Sequence, residues 1–143
     1  MNLSDNSIEN ALILIRGLPG SGKSTFATLL SEGRFPVFSV DDYFTGSNGA
    51  YQFGFSRNHL AYRQCEEQTR EAMLKKCSRI FVANTFTMDW EMEPYIRMAG
   101  EHGYKLFVLT MENYHGCDNI HKIPKDQLEK MASGYKLRLL PKP

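Results

Sequence analysis

The sequence predicts an α/β fold with a mostly parallel sheet and helices on both faces. Apolar segments of strand length alternate along the chain with segments of helix length, and the first apolar segment runs directly into a glycine-rich loop. Such alternation favours parallel strands joined by crossover helices. It also places the loops that follow the strands at one edge of the sheet, where ligands bind in folds of this class.

The predicted elements follow the apolar pattern and its interruptions. They are a strand at 11–15, a helix at 25–30, a strand at 36–40, a loop at 45–54, a helix at about 56–77, a strand at 79–83, a helix at 88–102, a strand at 104–110 and a helix at 125–133. The strand at 36–40 follows Gly33 and ends at Asp41-Asp42. Gly46, Asn48, Gly49 and Gly54 mark the loop that comes next.

The helices are predicted from spacing and from end signals. The helix at 56–77 is amphipathic, since one of its faces carries, at spacings of three and four, the residues Tyr62, Cys65, Thr69, Ala72 and Met73. Gly100 and Gly103 lie near the end of the next helix, and Pro124 precedes the last one.

The length predicts a single domain. A chain of 143 residues that is 42% hydrophobic is long enough for one core and too short for two ordinary domains. We expect the domain to span 11–138, after a polar segment at 1–10 and before a tail at 139–143. The polar stretch at about 112–124 is interpreted as a lid followed by a short docking helix, and a plain surface connection is the alternative.

Charge and cysteine usage set limits on partners and compartment. The formal net charge of +1 gives no strong field toward nucleic acid or anionic lipid, so a polynucleotide would need a local basic patch. Cys65, Cys77 and Cys117 are odd in number and lie outside any CxxC pattern, which favours reduced intracellular thiols. Without a signal-peptide pattern or an apolar run of ~18 residues, we expect a soluble, cytoplasmic protein with no membrane partner.

The glycine-rich loop predicts a phosphate-binding site. Its sequence GLPGSGKS, from Gly17 to Ser24, matches the P-loop (Walker A) pattern GxxxxGK[ST] between a strand and a helix. Lys23 is expected to reach the terminal phosphates of ATP, and the Ser24 hydroxyl to complete a Mg²⁺ shell. The predicted ATP-binding residues are Gly17, Pro19, Gly20, Ser21, Gly22, Lys23, Ser24 and Thr25.

Other motifs select among P-loop chemistries. No NKxD guanine signature is present, and the strand at 79–83 closes on Asn84 where a hydrolytic ATPase has an Asp that holds the Mg²⁺ water. Asp41 and Asp42 follow the second strand, from which a carboxylate is able to face the γ-phosphate and take a proton from a hydroxyl acceptor. This pattern favours a three-layer P-loop kinase with Asp41 and Lys23 as catalytic residues. A solvent-facing Asp pair that caps a helix is the alternative.

Four segments then carry a family resemblance over residues 12–135. RGLPGSGKST, SVDDYF, NTFTMDWEMEPY and NIHKIPKDQLEKM, in this order, resemble the kinase-like P-loop domain of the Nedd-binding protein group and, more distantly, the bacteriophage polynucleotide 5′-hydroxyl kinase. The resemblance implies transfer of the γ-phosphoryl group of ATP to the 5′-hydroxyl of RNA or DNA, with Asp41 as general base and Lys23 and Ser24 in the phosphate and metal roles. It also puts Asn84 and Thr85 on the acceptor side, although the pair is equally compatible with a strand-end turn.

The chain departs from these families at two positive charges. The relatives have an arginine in the lid segment where this chain has Cys117-Asp118, and the phage kinase has one at the position of Phe44. Such an arginine contributes ~10³ to 10⁵ in rate to phosphoryl transfer. The candidate replacements are His121 and Lys122 in the lid, Lys125, and Arg57 on the acceptor side. Tyr62 stands where the Nedd-binding relatives usually have a histidine, and we assign it to packing.

Three functions remain open from the sequence. The first is the polynucleotide kinase. The second is a weakened nucleotide-binding module that uses a surface around Tyr51, Phe53, Phe55 and Trp90 to bind a protein partner. The third is a kinase for a sugar or nucleoside. A polynucleotide kinase needs a basic groove, to which Arg57, Arg63 and Arg70 are able to contribute, and its binding of substrate depends steeply on salt. A kinase for a small molecule needs no such groove and lacks this salt dependence.

Overall fold

Four parallel strands form the centre of the chain in the computed structural model, which describes residues 9–45, 57–117 and 122–141. The elements in chain order are β1 (Ala11–Arg16), α1 (Lys23–Ser31), β2 (Val37–Phe38), a 3₁₀ helix (Val40–Phe44), α2 (Asn58–Leu74), β3 (Arg79–Asn84), α3 (Asp89–His102), β4 (Lys105–Thr110) and α4 (Lys125–Ala132). The strand order is β2-β3-β1-β4, and every pairing is parallel. The predicted α/β architecture is therefore confirmed.

The register aligns the carboxyl ends of the strands. β1 pairs residue by residue with both neighbours, so that Arg16 lies level with Asn84 of β3 and with Thr110 of β4. Because the strands are parallel, these three residues all lie at the same edge of the sheet, where each strand ends. The glycine-rich loop starts at this edge, directly after Arg16.

Side chains of β1 point alternately into two apolar clusters, one on each face of the sheet. Leu12 and Leu14 pack with α2 and α3, whereas Ile15 packs with α1 through Ala27. These residues of β1 and Ala27 are completely buried. Burial on both faces explains why β1 reads as a continuous apolar run, and it puts helices on both sides of the sheet as the sequence predicts.

β2 is shorter than the predicted strand at 36–40. The chain leaves the sheet after Phe38 and enters the 3₁₀ helix, because the Ser39 hydroxyl accepts the Asp41 N–H (3.1 Å) while the Asp42 carboxylate accepts the Ser39 N–H (3.1 Å). This reciprocal pair is a capping box and fixes where the turn begins. The other predicted strands and helices agree with the structure to within a few residues at each end.

The predicted apolar face of α2 is buried with one exception. Cys65, Thr69, Ala72 and Met73 are buried, but Tyr62 is only half-buried and its neighbour Ala61 takes the core position. Ala61 and Tyr62 are adjacent, so a small rotation of the helix decides which of them faces the core. The exception matters because the Tyr62 side chain lies partly outside the core.

Some sequence expectations fall outside the described residues. These are the aromatic residues Tyr51, Phe53 and Phe55, and Asp118 and His121 of the lid segment. In the part of the chain that is described, no helix is long and apolar enough to cross a membrane.

Candidate functional site

The loop between β1 and α1 leaves the amide groups at the start of the helix open to a ligand. Gly22 precedes α1 with a left-handed backbone (φ 93°), which glycine adopts without steric cost, and no side chain among the described residues caps the helix there. The first helical bond joins the Phe26 N–H to the Gly22 carbonyl (2.9 Å). The earlier N–H groups have no helical acceptor, and together with the helix dipole they form an anion-binding end.

The start of the loop also needs glycine, for a different reason. A Cβ at Gly17 would lie 2.5 Å from the Ser21 hydroxyl oxygen, which is closer than such atoms approach each other. The close approach folds the loop back over its own first residue. The two glycines at the ends of the motif therefore give the loop its closed shape.

Lys23 is held over this loop in a partly desolvated position. Its Nζ donates a hydrogen bond to the Leu18 carbonyl (3.0 Å). Burial lowers the pKa of the Lys23 ammonium to about 8, while the negative charge of Asp41 acts in the opposite direction and raises it. The negative charge of Asp41 thus acts on the ammonium, although the two residues are 18 positions apart in the sequence.

The two adjacent aspartates have different environments. The Asp42 carboxylate caps the 3₁₀ helix, and burial, above all, raises its pKa despite the hydrogen bond from Ser39. The Asp41 carboxylate acts on Lys23. Asp42 is therefore a cap, as the alternative interpretation expected of the pair, whereas Asp41 lies near the loop and its role as a base stays a prediction.

Asn84 fastens the 3₁₀ helix to the sheet. Its side-chain oxygen accepts the Val40 N–H (2.8 Å), and its amide nitrogen lies 3.7 Å from the Cys65 sulfur. The residue is only 7% exposed. Since both ends of the amide are bound to the protein, Asn84 positions the segment that carries Asp41, and its side chain is not turned toward an acceptor.

The residues after Asn84 contact the segment beyond α4. The Thr85 carbonyl accepts a hydrogen bond from the Tyr135 hydroxyl (2.7 Å). The next residue, Phe86, is buried and has a positive φ of 43°, an unusual conformation for a bulky side chain. Thr85 thus lies on the expected edge, in a turn with a strained backbone.

Tyr62, which the sequence reasoning assigned to packing, also has polar contacts near Asp41. Its hydroxyl donates to Glu91 Oε1 (3.3 Å), and Glu91 Oε2 in turn accepts the Met88 N–H at the start of α3 (2.8 Å). Burial first, and then the negative charges of Glu91 and Asp41, raise the pKa of Tyr62 to about 12. The phenol therefore remains protonated near Asp41. Its position, where the Nedd-binding relatives usually have a histidine, was the available signal.

Arg16 is a second residue that the sequence reasoning missed, and its contacts are structural. The guanidinium donates to the Thr110 hydroxyl (2.8 Å) and to the Lys136 carbonyl (2.6 Å). It also lies 3.8 Å from the Asp89 carboxylate and 5.5 Å from the centre of the Tyr135 ring. This arginine lies directly before the loop, but its donors are directed to the edge of the sheet.

The remaining candidates lie at the periphery. Arg57 is exposed immediately before α2, and Lys122 is exposed shortly before α4 with a left-handed backbone (φ 52°). A cavity of about 140 Å³ adjoins the loop on the β4 side, and α4 contributes Leu128 to it. Its other lining residues are Leu18, Pro19, Ser21, Met111, Asn113 and Cys117. The interpretation of 112–124 as a lid stays a prediction.

The residues present fit a Mg²⁺ ion that arrives with its nucleotide. Within 9–45, 57–117 and 122–141, no three His, Cys, Asp or Glu side chains are grouped so as to hold a metal by themselves. Ser24 lies exposed in the first turn of α1, beside the open amides. Mg²⁺ is commonly held by few protein oxygens together with substrate phosphates and water, and the Ser24 hydroxyl is a suitable oxygen.

The strand, the closed loop and the following helix, within a parallel sheet of order β2-β3-β1-β4, define a nucleotide-binding P-loop domain with a kinase-like fold. A family model described as "AAA domain" matches residues 12–114, and the chain belongs to that family. Human NEDD4-binding protein 2 is 35% identical over 133 residues, covering 87% of this chain and 8% of its own length. The resemblance to the Nedd-binding group is thereby confirmed, and the chain spans only a small part of this relative.

Two solved structures agree with the fold. The Pnkp1/Rnl/Hen1 RNA repair complex contains a chain with a TM-score of 0.70 and 19% identity, and the match covers 93% of this chain and 46% of that one. The Mycobacterium tuberculosis APS kinase CysC, in complex with AMPPNP and APS, has a TM-score of 0.59 and 18% identity, with 93% and 86% covered. At these identities the likeness shows the fold alone.

Proposed function

We propose that this domain is an ATP-dependent phosphotransferase and that its acceptor is the 5′-hydroxyl of a polynucleotide. The observation that carries the proposal is the position of Asp41 near the P-loop, close enough for its negative charge to raise the pKa of Lys23. It brings a carboxylate to the ammonium that would bind the terminal phosphates, while the neighbouring Asp42 is committed to the capping box. A base beside a phosphate clamp is the arrangement that phosphoryl transfer to a hydroxyl requires.

In the proposed reaction, the open amides of the loop and the Lys23 ammonium bind the β- and γ-phosphates and offset the charge that develops on the transferred group. Asp41 accepts the proton of the acceptor hydroxyl. As that oxygen forms a bond to the γ-phosphorus, the bond from phosphorus to the oxygen of the ADP leaving group breaks. Ser24 would hold Mg²⁺, which supplies further charge stabilisation to the phosphates when it is bound.

The choice of a polynucleotide rests on the structural neighbour and on the arginines of α2. A chain of an RNA repair complex has the same fold over nearly all of this domain. Tyr62, near the start of α2, lies close enough to Asp41 for that negative charge to raise its pKa. Arg57 and Arg63 are exposed at the same end of α2, and we propose that they contact the phosphates of the acceptor strand. Arg70, further along, is paired with Glu67.

Transfer of labelled γ-phosphate from ATP tests this proposal. The acceptor is a short oligonucleotide with a 5′-hydroxyl, offered as RNA and as DNA, and the matched control is the same oligonucleotide with a 5′-phosphate. Incorporation into the hydroxyl form alone is the expected result. Absence of incorporation at saturating oligonucleotide and MgATP, in a preparation that binds MgATP, contradicts the proposed acceptor.

The affinity for MgATP is expected to fall as the pH rises above about 8, the pKa of Lys23. Bound phosphates favour the protonated ammonium, so the bound state keeps its proton to a higher pH than the free state. Affinity is therefore full below pH 8 and declines above it by up to about tenfold per pH unit. Calorimetry in two buffers with different ionisation enthalpies measures the protons taken up, which we expect to rise from near zero at pH 7 toward one at pH 9.

Lys23→Arg is the matched variant for this pH profile, because a guanidinium keeps its charge across the range. Whatever its absolute affinity, the variant should bind MgATP without the proton uptake of the wild type. Proton uptake near zero at pH 9 in the wild type would contradict the assignment of the titrating group.

A second function, a nucleotide-binding module with weak turnover, is supported by the contacts of Arg16. In the part of the chain that the structure describes, this arginine adjoins the loop, yet its donors are bound to Thr110 and Lys136. Trp90 is 70% exposed on the adjoining start of α3, and the name of the human relative refers to a protein partner. Nucleotide-dependent capture of a specific protein, lost on Trp90→Ala, together with no transfer to any acceptor, would favour this function.

A third function, phosphorylation of a small hydroxyl compound, is supported by the similarity to an APS kinase. The dependence of acceptor KM on salt separates it from the polynucleotide function. Contacts to several phosphates release counterions and give a steep dependence, whereas a compact acceptor gives a shallow one. A shallow dependence for the oligonucleotide, with faster transfer to a small acceptor, would favour the third function.

A further inference from the structure

The imidazole of His115 connects the segment after β4 to the phosphate-binding loop. Its Nε2 lies 2.9 Å from the Ser21 carbonyl oxygen, and its Nδ1 lies 3.0 Å from the backbone nitrogen of Cys117. The Cys117 N–H can only donate, so Nδ1 is the acceptor in this pair. The ring is therefore neutral with its hydrogen on Nε2, and it donates that hydrogen to Ser21.

A closed turn holds this ring in place. The Asn113 side-chain oxygen accepts the Gly116 N–H (2.8 Å), and its amide nitrogen donates to the Cys117 carbonyl (3.0 Å). The start of the segment is fixed too, since the Met111 N–H donates to the Arg16 carbonyl (2.8 Å) and extends the pairing of β4 with β1. The turn thus holds the His115 side chain between the edge of the sheet and the loop.

The acceptor of the His115 hydrogen bond belongs to the same peptide unit as the Gly22 N–H. In a planar trans peptide the C=O and N–H groups point in opposite directions, so a bond that holds the Ser21 carbonyl also fixes the direction of the Gly22 N–H. A Cβ at Gly22 would lie 3.3 Å from His115 Nε2, which shows how closely the ring covers this peptide. Because Gly22 has a positive φ and glycine has more backbone freedom than other residues, the orientation of this peptide depends more on its hydrogen-bond partners.

We propose that His115 is a positioning residue for the phosphate-binding loop: it holds the Ser21–Gly22 peptide so that the Gly22 amide faces the β-phosphate of the nucleotide. This inference rests on the proposed binding of ATP at the loop. The hydrogen bond to the carbonyl also polarises the peptide, which strengthens its N–H as a donor. Since Nε2 is committed to Ser21, the ring acts on the phosphate through the peptide and does not contact the nucleotide itself.

Two substitutions each keep one of the two hydrogen bonds of the His115 ring and remove the other. In His115→Gln, the side-chain amide nitrogen reaches about as far as Nε2 and is able to donate to Ser21. In His115→Asn, the side-chain oxygen lies near the position of Nδ1 and is able to accept the Cys117 N–H, but the side chain is too short for Ser21. His115→Gln therefore keeps the hydrogen bond to the phosphate-binding loop, and His115→Asn keeps the hydrogen bond within the turn.

Calorimetric titration with MgATP and with AMP tests the inference. We expect His115→Asn to weaken MgATP binding roughly 3- to 10-fold, as for loss of one hydrogen bond, and to leave AMP binding within about twofold because AMP has no β-phosphate. His115→Gln should bind both within about twofold of the wild type, as should the control His102→Asn at the far end of α3. Nitrogen-15 NMR of the ring should report the tautomer with hydrogen on Nε2.

Each contrary result has its own meaning. Equal MgATP affinity in wild type and His115→Asn overturns the inference alone, as does equal weakening in the Asn and Gln variants, or a matching loss of AMP binding. An NMR spectrum that shows the hydrogen on Nδ1 also overturns it, because Nδ1 is then unable to accept the Cys117 N–H. Failure of the wild-type protein to bind MgATP overturns both this inference and the proposed function.

Discussion

Lys23→Ala is expected to abolish measurable MgATP binding and phosphoryl transfer together. A hydrogen bond to a charged group is worth about 1.5–3 kcal/mol, and in the proposed complex the ammonium makes more than one contact with the terminal phosphates. A loss of affinity of about 100-fold or more is therefore expected. Calorimetry measures the binding, and labelled transfer measures the turnover at the highest MgATP concentration that can be reached.

The variant should remain folded. Lys23 is partly desolvated in a position that lowers its pKa, so its charged form is not favoured by folding, and the side chain contributes one hydrogen bond to Leu18. A melting temperature within a few degrees of the wild type is expected. Lys75→Ala, at the exposed end of α2, is the matched control and should bind MgATP normally. Binding by Lys23→Ala within about fivefold of the wild type would contradict the assigned role.

The loop was predictable because its signal is local. The strand, the glycine spacing and the lysine-serine pair from Gly17 to Ser24 lie within one short stretch, and Gly17 and Gly22 each have a steric reason for their place. The sheet order was less accessible, but the alternation of strands and helices was sufficient to predict parallel pairing. Short-range chemistry and periodicity thus determined most of the fold.

The division of work between Asp41 and Asp42 was only partly predictable. Ser39 stands three residues before Asp42, which is the spacing of a capping box, so the sequence contained a signal for the cap. The strand-end position also indicated that a carboxylate of this pair faces the phosphate-binding loop. The pattern did not show that Asp41 is the one that acts on Lys23, because that depends on how the 3₁₀ helix lies against β3. Asn84 determines this placement through its bond to Val40.

The contacts of Arg16, Tyr62 and His115 were not predictable from local pattern. Arg16 and the Lys136 carbonyl are 120 residues apart, and His115 and Ser21 are 94 apart. Each contact forms only because parallel strands bring their carboxyl ends to one edge, where the segments after β4 and α4 also pass. The partners of polar residues at such an edge are determined by the tertiary structure. A single sequence predicts that these residues lie at the same edge, but it does not predict which of them form hydrogen bonds with each other.

Asp41→Asn is expected to lower phosphoryl transfer by about 10²- to 10⁴-fold, the range for removal of a general base, while the affinity for MgATP at pH 7 changes by less than about threefold. The amide keeps the shape of the side chain and cannot accept the proton of the acceptor hydroxyl. Single-turnover transfer and calorimetric binding, measured on the same preparation, separate the two effects. Transfer within tenfold of the wild type would contradict the role of Asp41 as base.

Asp42→Asn is the matched control, since it changes the adjacent carboxylate in the same way. Its side-chain oxygen still accepts the Ser39 N–H, so the 3₁₀ helix and the transfer rate should change little.

The two variants should also differ in the pH dependence of MgATP binding. Because the negative charge of Asp41 raises the pKa of Lys23, its removal should shift the decline in affinity to a pH below the wild-type value of about 8. An unshifted decline in Asp41→Asn would mean that the carboxylate does not act on Lys23, and the observation on which the proposed function rests would fail with it.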